Sequence, residues 1–284
     1  MIKIRAFRNL FISLLLLAST LPASADRSDI EASLKSEYRQ KVFMLRHFYA
    51  GQKLRFNSEG TLIKGAGQGY WSSDGLVEIG TVSFEKNGTL LLTGNRIASV
   101  FDYKKGKFKN FKTALKLDIE VESDPNRNDL QSFRTVLETI LTPDSGQLAK
   151  TAPSYWSCWF SGKIEPDGKK NWKCVDSQSP TTTTAKDGTA ERVRNELSAP
   201  HPLHTPDPSY TEIAKKIGLQ GVTVLQVVIN EKGDASKFLI VRPLGAGLDD
   251  AAVDAVRGWK FTPAEKAGTP VSVQVNIEVN FRLY

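Results

Sequence analysis

The chain has 284 residues, of which 40% are hydrophobic and 24% are charged, and its net charge is +7. This length allows one to three domains with a real hydrophobic core, and the composition is that of a soluble globular protein. The chain contains three His and two Cys and no G-x-S-x-G, H-E-x-x-H or Walker motif. The sequence therefore argues against an enzyme, and it predicts no cofactor and no metal site.

The N-terminus has the pattern of an export signal. Three basic residues come first: Lys3, Arg5 and Arg8. An apolar run at 10–21 follows, and residues 23–25, Ala-Ser-Ala, have the small-x-small form of a cleavage site. The run is shorter than the ~20 apolar residues that span a bilayer. We predict a signal peptide at 1–25, cleavage between Ala25 and Asp26, and a soluble periplasmic product whose net charge is +4 once three basic residues are lost. The alternative is an uncleaved anchor in the inner membrane.

Residues 26–176 are predicted to form a β-rich antiparallel domain with one helix. A short helix precedes the strands, because Ile30, Leu34 and Tyr38 have helical spacing. The β-prone runs, separated by turn residues, lie at 42–49, 53–56, 76–84, 89–93 and 114–121. The pattern is typical of a meander of hairpins. The domain's helix is predicted near 130–141, with Asn128 or Asp129 as its cap.

Six lysines cluster among aromatic residues in the middle of this domain: Lys104, Lys105, Lys107, Lys109, Lys112 and Lys116. Such a composition is found in nucleic-acid binding proteins, but an exported protein rarely meets nucleic acid, so we expect no such partner. A solvated hairpin is the favoured interpretation. The alternative is contact with the cell wall or another anionic envelope surface.

The two cysteines are predicted to form a disulfide, as is usual in exported proteins. Between Cys158 and Cys174 lies the turn sequence Glu-Pro-Asp-Gly at 165–168. A hairpin folded there brings the cysteines within disulfide reach, and closing the loop contributes ~3 kcal/mol in the chain-entropy model. The neighbouring tryptophans are expected to pack in the core and around the disulfide rather than to bind a ligand: Trp156, Trp159 and Trp172.

Residues 177–205 are predicted to be a linker, because Ser, Thr and Pro recur through the segment. The linker is expected to be semi-extended rather than freely coiled. His201 and His204 lie close together at its end. We assign them to the linker and not to a metal site, which would need more ligands and a rigid scaffold.

Residues 206–284 are predicted to form a small α+β domain with the order helix, strand, strand, helix, strand. These elements are expected at 210–217, 222–229, 235–241, 248–259 and 271–282. The two central strands are joined by a hairpin turn at 230–233. Asp249 and Asp250 fall in the first turn of the second helix, where we expect them to be solvated and to favour the helix dipole. Both helices should cover one face of a three-stranded sheet.

The last strand is the sharpest signal in the chain. Six apolar residues alternate with six polar residues from Val271 to Arg282, which predicts one dry face and one wet face over roughly 40 Å. A strand at a chain end is expected at the margin of its sheet, where unpaired N–H and C=O groups can template another strand. The residues predicted to bind a partner strand are Val271, Val273, Gln274, Val275, Asn276, Ile277, Glu278 and Val279.

Seven short sequence features follow one another along this domain. They are Pro-Asp-Pro-Ser-Tyr at 206–210, Ala214, Gln-Gly at 220–221, Ile-Asn-Glu-Lys-Gly at 229–233, Leu-Asp-Asp-Ala-Ala at 248–252, Trp-Lys-Phe-Thr-Pro-Ala at 259–264 and the alternating finish at 275–281. In these motifs the segment resembles the C-terminal domain of the TonB family. The resemblance implies a periplasmic domain whose last strand pairs with the TonB box, a short extended segment of outer-membrane transporters, in energy-coupled transport.

The chain departs from the driver proteins of that family in two features. Their N-terminal helix stays in the membrane and carries a His that engages a motor, whereas residues 1–25 contain no His. Their long Pro-Glu/Pro-Lys spacer is replaced here by the β-rich domain and linker. Two hypotheses follow: a TonB-like protein that binds extended partner segments by strand addition, and a non-transducing envelope protein whose last strand pairs with its own copy in a homodimer.

Overall fold

The computed structural model describes residues 26–283 except 145, 147, 162–163, 167–171, 175–190 and 193–197. The predicted signal peptide and its cleavage site at Ala25 therefore lie outside the described residues. No helix in the described part of the chain is long and apolar enough to cross a membrane.

Helices and strands are numbered here in chain order. Among the described residues the helices are α1 Arg27–Tyr38, α2 Trp71–Asp74, α3 Leu130–Ile140, α4 Leu148–Thr151, α5 Ser157–Phe160, α6 Glu212–Lys216 and α7 Leu248–Arg257. The strands of the N-terminal half are β1 Val42–Leu45, β2 Lys53–Phe56, β3 Leu62–Lys64, β4 Leu76–Phe84, β5 Leu90–Asp102, β6 Lys107–Val121 and β7 Leu141–Thr142. The later strands are β8 Ile164–Pro166, β9 Trp172–Cys174, β10 Glu191–Arg192, β11 Pro202–His204, β12 Gly221–Ile229, β13 Ala235–Arg242, β14 Lys260–Phe261, β15 Ala264–Lys266, β16 Thr269–Val271 and β17 Val273–Phe281.

The N-terminal half is built on a seven-stranded mixed sheet in the order β3-β2-β6-β5-β4-β1-β7. Strands β4, β5 and β6 form the expected antiparallel meander. Strand β2 runs parallel to β6, so the prediction of a purely antiparallel meander is wrong at this edge. Turn signals identify strands that are adjacent in sequence, whereas a parallel pair is joined by a long crossover that leaves no local signature.

Helices α1 and α3 pack against this sheet. Ile30, Leu34 and Tyr38 of α1 are buried in the same cluster as Phe133 and Leu137 of α3. The short helix predicted from the spacing of the first three residues is confirmed. Helix α3 begins where the sequence predicts, since the Asp129 carboxylate accepts a hydrogen bond from the Ser132 N–H at 2.9 Å.

The lysine-rich segment is the hairpin of β5 and β6. All six lysine side chains predicted to be solvated are exposed. Strand β2 pairs with β6 only from Asp118 to Val121, and no described strand pairs with β6 on that side before Asp118. Lysines along an open edge disfavour pairing with other chains, which is a sufficient role for the cluster.

The C-terminal domain contains a four-stranded sheet in the order β10-β17-β12-β13. Three of these strands and the helices α6 and α7 have the predicted order. Strand β17 pairs antiparallel with β12 along its whole length, from Gly221 opposite Phe281 to Ile229 opposite Val273. The linker contributes β10, and it also contributes β11, which pairs with β14.

The last strand is shorter than the alternating pattern suggests. Val271 belongs to β16, which pairs with β15, so the predicted start of the last strand at Val271 is wrong. A tight turn at Ala267 and Gly268, both with positive φ, folds residues 269–271 back on 264–266. After Ser272 the chain pairs with a different strand. Apolar and polar residues still alternate across this change, so the alternation does not show where one strand ends and the next begins.

The two halves of the chain share one hydrophobic cluster. The loop 243–247 pairs with the edge of β5: the Phe101 N–H donates to the Leu244 carbonyl at 2.9 Å, and the Ala246 N–H donates to the Ser99 carbonyl at 2.8 Å. We call this backbone pairing the interdomain joint. Aromatic rings of the N-terminal half surround it in edge-to-face contacts, among them Phe101 against Trp159 and Trp71 against Trp156, so the core role predicted for Trp156 and Trp159 is confirmed.

The cysteine region contains the predicted hairpin. Strands β8 and β9 pair antiparallel, with Ile164 opposite Cys174 and Pro166 opposite Trp172. Cys158 is buried in α5, but the side chain of Cys174 and the turn 167–171 lie outside the described residues. The disulfide stays a prediction.

We expect titration with a thiol reagent in denaturant, without reductant, to find no free thiol, because both cysteines are consumed by the disulfide. Reduction should lower the free energy of unfolding by ~3 kcal/mol. The Cys158→Ser, Cys174→Ser double variant is the control, since its stability should not respond to reductant. Two titratable thiols per chain would contradict the pairing.

We expect Gly245→Ala to lower the free energy of unfolding by about 3 kcal/mol or more, because a Cβ at this position would lie 2.2 Å from the Ser99 carbonyl oxygen and force the joint apart. Gly268→Ala is the matched control, since Gly268 also has positive φ but a Cβ there meets no atom within 4 Å. The control should cost only about 1–2 kcal/mol of backbone strain. Equal losses in urea unfolding would show that the joint contributes nothing.

Candidate partner-strand site

The site is the outer edge of β17. One side of this strand is occupied throughout by β12. On the other side β10 pairs in parallel with the first two residues, Glu191 opposite Val273 and Arg192 opposite Gln274. No other described strand pairs with β17, so within the described part of the chain its outer backbone from 275 to 281 is not paired with a strand over roughly 20 Å.

The side chains of β17 point alternately into the domain and out of it, as predicted. Val273, Val279 and Phe281 are buried, whereas Asn276 and Glu278 are exposed. Gln274 departs from the alternation, because it is buried at the position where β10 pairs with β17. The interior side chains therefore fix the strand in the core and leave main-chain groups as the main feature of its outer edge.

Of the residues predicted to bind a partner, the structure places Val271 outside the edge strand and Val273 and Gln274 beside β10. The remaining five lie on the open stretch: Val275, Asn276, Ile277, Glu278 and Val279. Val275 and Ile277 are only half-buried. An added strand would thus meet both free backbone groups and partly exposed apolar side chains.

The opposite edge of the sheet, β13, is covered by the N-terminal half. The Trp159 indole N–H donates to the Ile240 carbonyl at 2.7 Å, and the Arg242 guanidinium lies over the Tyr103 ring at 5.2 Å. Strand β9 also lies against β13. The edge at β13 is therefore not available for pairing with a further strand.

A cavity of about 420 Å³ lies at the far end of the open edge. It is lined by Asp207, Pro208, Tyr210, Asn280, Phe281 and Arg282. The Tyr210 and Phe281 rings meet edge to face with centroids 5.5 Å apart. The position and mixed lining suit a side chain at the end of an added strand.

Helix α7 holds the sheet through Asp249. Its Oδ1 accepts from the Thr223 hydroxyl of β12 and from the Leu244 N–H, both at 2.7 Å, and its Oδ2 accepts from the Gly245 N–H at 2.6 Å. Asp249 and Asp250 are 0% and 1% exposed, so the expectation that they are solvated is wrong. The loop 243–247 folds over the start of the helix and supplies donors, and helical periodicity does not reveal such a loop.

Asp250 faces the N-terminal half. Its Oδ1 accepts from the Tyr155 hydroxyl at 3.0 Å and from the Trp156 indole N–H at 2.9 Å, whereas its Oδ2 has no hydrogen-bond partner in the described part of the chain. Burial raises the pKa of Asp250 to about 7 and that of Asp249 to about 6. Donor pairing favours the charged form of both groups but does not offset the desolvation.

The described residues contain no group of three or more His, Cys, Asp or Glu placed to hold a metal ion. His201 lies where its backbone N–H donates to the Thr262 hydroxyl at 2.9 Å and its carbonyl accepts from the Thr262 N–H at 2.8 Å. The end of the predicted linker is therefore attached to the C-terminal domain.

Comparison with known families matches residues 206–283 to the family described as Gram-negative bacterial TonB protein C-terminal. Residues 206–283 are a TonB-family C-terminal domain. The match begins just after β11 and includes α6, α7 and β12–β17. Strand β10 comes from the part of the chain before the TonB-family domain.

Several known proteins are similar to part of this chain. Protein TonB of Vibrio cholerae is 31% identical over 77 residues, 27% of this chain and 32% of the relative. Protein tonB2 of Pseudomonas aeruginosa is 33% identical over 82 residues, 28% of this chain and 30% of the relative. The chain thus spans about a third of the length of these relatives. The solution NMR structure of the Pseudomonas aeruginosa TonB CTD aligns with 32% of this chain and 89% of its own, at 21% identity and a TM-score of 0.26.

We expect the two buried aspartates of the TonB-family domain to respond differently to the same substitution. Asp249→Asn should lower the free energy of unfolding by about 2–4 kcal/mol, because an amide NH₂ would replace an oxygen that accepts from N–H or O–H donors. Asp250→Asn should cost less at neutral pH, because its amide oxygen still accepts from Tyr155 and Trp156 while the NH₂ takes the place of Oδ2.

The raised pKa of Asp250 also predicts how the stability of the domain changes with pH. A carboxylate whose pKa is raised from 3.8 to about 7 binds more protons in the folded state, so its contribution to stability falls as the pH rises from about 4 to about 7. Asp250→Asn should flatten this fall in urea unfolding measured at pH 5 and pH 8. Equal losses for the two variants, with an unchanged pH slope, would contradict the assignment.

Proposed function

We propose that the TonB-family domain binds an extended segment of a partner protein as an added strand on the outer edge of β17, and that the partner segment is the TonB box of an outer-membrane transporter. The observation that carries the proposal is the open edge from 275 to 281 in a domain of this family. The match to a family of interaction proteins agrees with the prediction that the chain is not an enzyme.

Strand addition suits this edge on physical grounds. Main-chain N–H and C=O groups supply affinity that does not depend on the partner sequence, and alternate side chains supply selectivity. Val275 and Ile277 are half-buried, so they offer apolar contact to alternate residues of an incoming strand. The cavity beside Phe281 would take a side chain near one end.

The cellular role follows from the same family. We infer a periplasmic protein that takes part in energy-coupled transport across the outer membrane, with the export signal at 1–25 as the route to the periplasm. The interdomain joint would make the β-rich half move with the domain. The lysine-rich hairpin, Lys104 to Lys116, has two proposed roles. Its lysines protect the edge of β6, and they would also allow contact with the cell wall or another anionic surface.

A second function uses the same edge. Two copies of β17 could pair antiparallel across a two-fold axis and give a self-associating envelope protein. The open backbone from 275 to 281 favours it equally, and sedimentation at several concentrations separates the two functions. A stable homodimer that dissociates on Val275→Pro while the domain stays folded would support self-association, whereas a monomer leaves the edge free for a different partner.

We expect proline substitutions at 275, 276, 277 and 278 to abolish binding of a synthetic TonB-box peptide in fluorescence anisotropy. The stability of these variants should alternate along the strand. Successive residues of β17 direct their N–H groups toward β12 and toward the open edge in turn, so prolines of one parity should remove only an outward donor and leave the domain folded.

Asn276→Ala and Glu278→Ala are the matched controls, because they shorten exposed side chains without touching the backbone. They should bind within a few-fold of the unmodified chain. Unchanged binding in the folded proline variants would exclude strand addition at β17.

A further inference from the structure

The chain already places one of its own strands on the proposed partner edge. Strand β10 runs parallel to β17 and pairs with Val273 and Gln274. An incoming strand that started at the same position would need the same backbone groups. The first two residues of the edge are therefore accessible only when β10 is displaced.

The position of β10 is supported by an anchor a few residues further along the chain. The Ser198 N–H donates to the Glu265 carbonyl at 3.0 Å, and the Glu265 N–H donates to the Ser198 hydroxyl at 2.8 Å. Beyond it, His201 bonds to Thr262 and β11 pairs with β14. The segment from Ser198 to His204 is thus attached to the domain by hydrogen bonds.

The anchor keeps β10 close to the edge. Five residues separate Arg192 from Ser198, so β10 stays within roughly 20 Å of the anchor even when it is released. A tether this short gives an effective concentration in the millimolar range. The tether therefore favours this two-residue pairing far more than the same pairing between separate molecules.

We propose that Glu191–Arg192 is an internal competitor for the partner edge. It lies parallel to β17 at the start of that strand, and it must leave before a full-length partner strand can pair. This inference rests on the proposed function. It assigns a regulatory role to the linker, because any event that pulls residues 191–192 away from the domain frees two further residues of the edge. It also assigns a direction, since a partner that replaces β10 in register would run parallel to β17.

The test is a reversible cross-link. Arg192 and Gln274 are opposite each other, and neighbouring strands lie about 4.8 Å apart, within the range that a disulfide spans. The variant with Arg192→Cys and Gln274→Cys should form this disulfide under mild oxidation, as mapped by mass spectrometry. The control joins Arg192→Cys with Asn280→Cys, six residues along the same strand and about 20 Å away, and should not form one.

The same protein then reports on competition. We expect the oxidised Arg192–Gln274 form to bind a synthetic TonB-box peptide at least about tenfold more weakly than its reduced form, because the competing state is locked. The double variant Glu191→Pro, Arg192→Pro should bind a few-fold more tightly than the unmodified chain. Each effect is absent if β10 does not compete.

The outcomes separate the two proposals. Failure of the Arg192–Gln274 disulfide to form overturns the pairing itself. Equal peptide affinity of the oxidised and reduced forms overturns the competition while strand binding stands. A peptide that binds neither form, and does not bind the proline variant, contradicts the proposed function on which the inference rests.

Discussion

The fold of the C-terminal half depends on the buried carboxylate of Asp249. It ties the start of α7 to Thr223 on β12 and to two backbone N–H groups of the loop 243–247. The same loop pairs with β5, so one desolvated charge connects the helix, the sheet that carries β17 and the N-terminal half. Burying a charge is costly unless donors satisfy it, and here three do.

This arrangement decides which edge of the four-stranded sheet is available. The aromatic cluster and β9 close the side of β13, and Trp159 satisfies one of its carbonyls. Among the described strands, only β10 covers part of the outer edge of the opposite strand, β17. An open edge is normally a site of unwanted association, and in the same chain the open part of β6 carries lysines. Strand β17 instead presents the half-buried Val275 and Ile277, which is consistent with an edge retained for binding.

Local patterns predicted the elements well and their partners poorly. Helical spacing identified α1 and α3, Asp129 was one of two cap residues predicted for α3, and the alternation of apolar and polar residues identified β17. Each of these signals lies within a few residues of the sequence. The parallel pairing of β2 with β6, the change of partner at Ser272 and the burial of Asp249 and Asp250 all depend on residues distant in sequence. The edge residues of the site were therefore predictable, but its boundary and the pairing with β10 were not.

The geometry also indicates how a bound strand would be held against a pull. A strand added beside β17 would load its nine-residue ladder with β12 along the strand axis, so its hydrogen bonds would be sheared together rather than opened one at a time. From β12 the load passes through Thr223 to Asp249 and so to the interdomain joint. Displacement of β10 would lengthen the bound stretch from the open residues alone to the whole of β17. The strength of attachment would then depend on whether the linker has been released, which links occupancy of the edge to tension on the chain that precedes it.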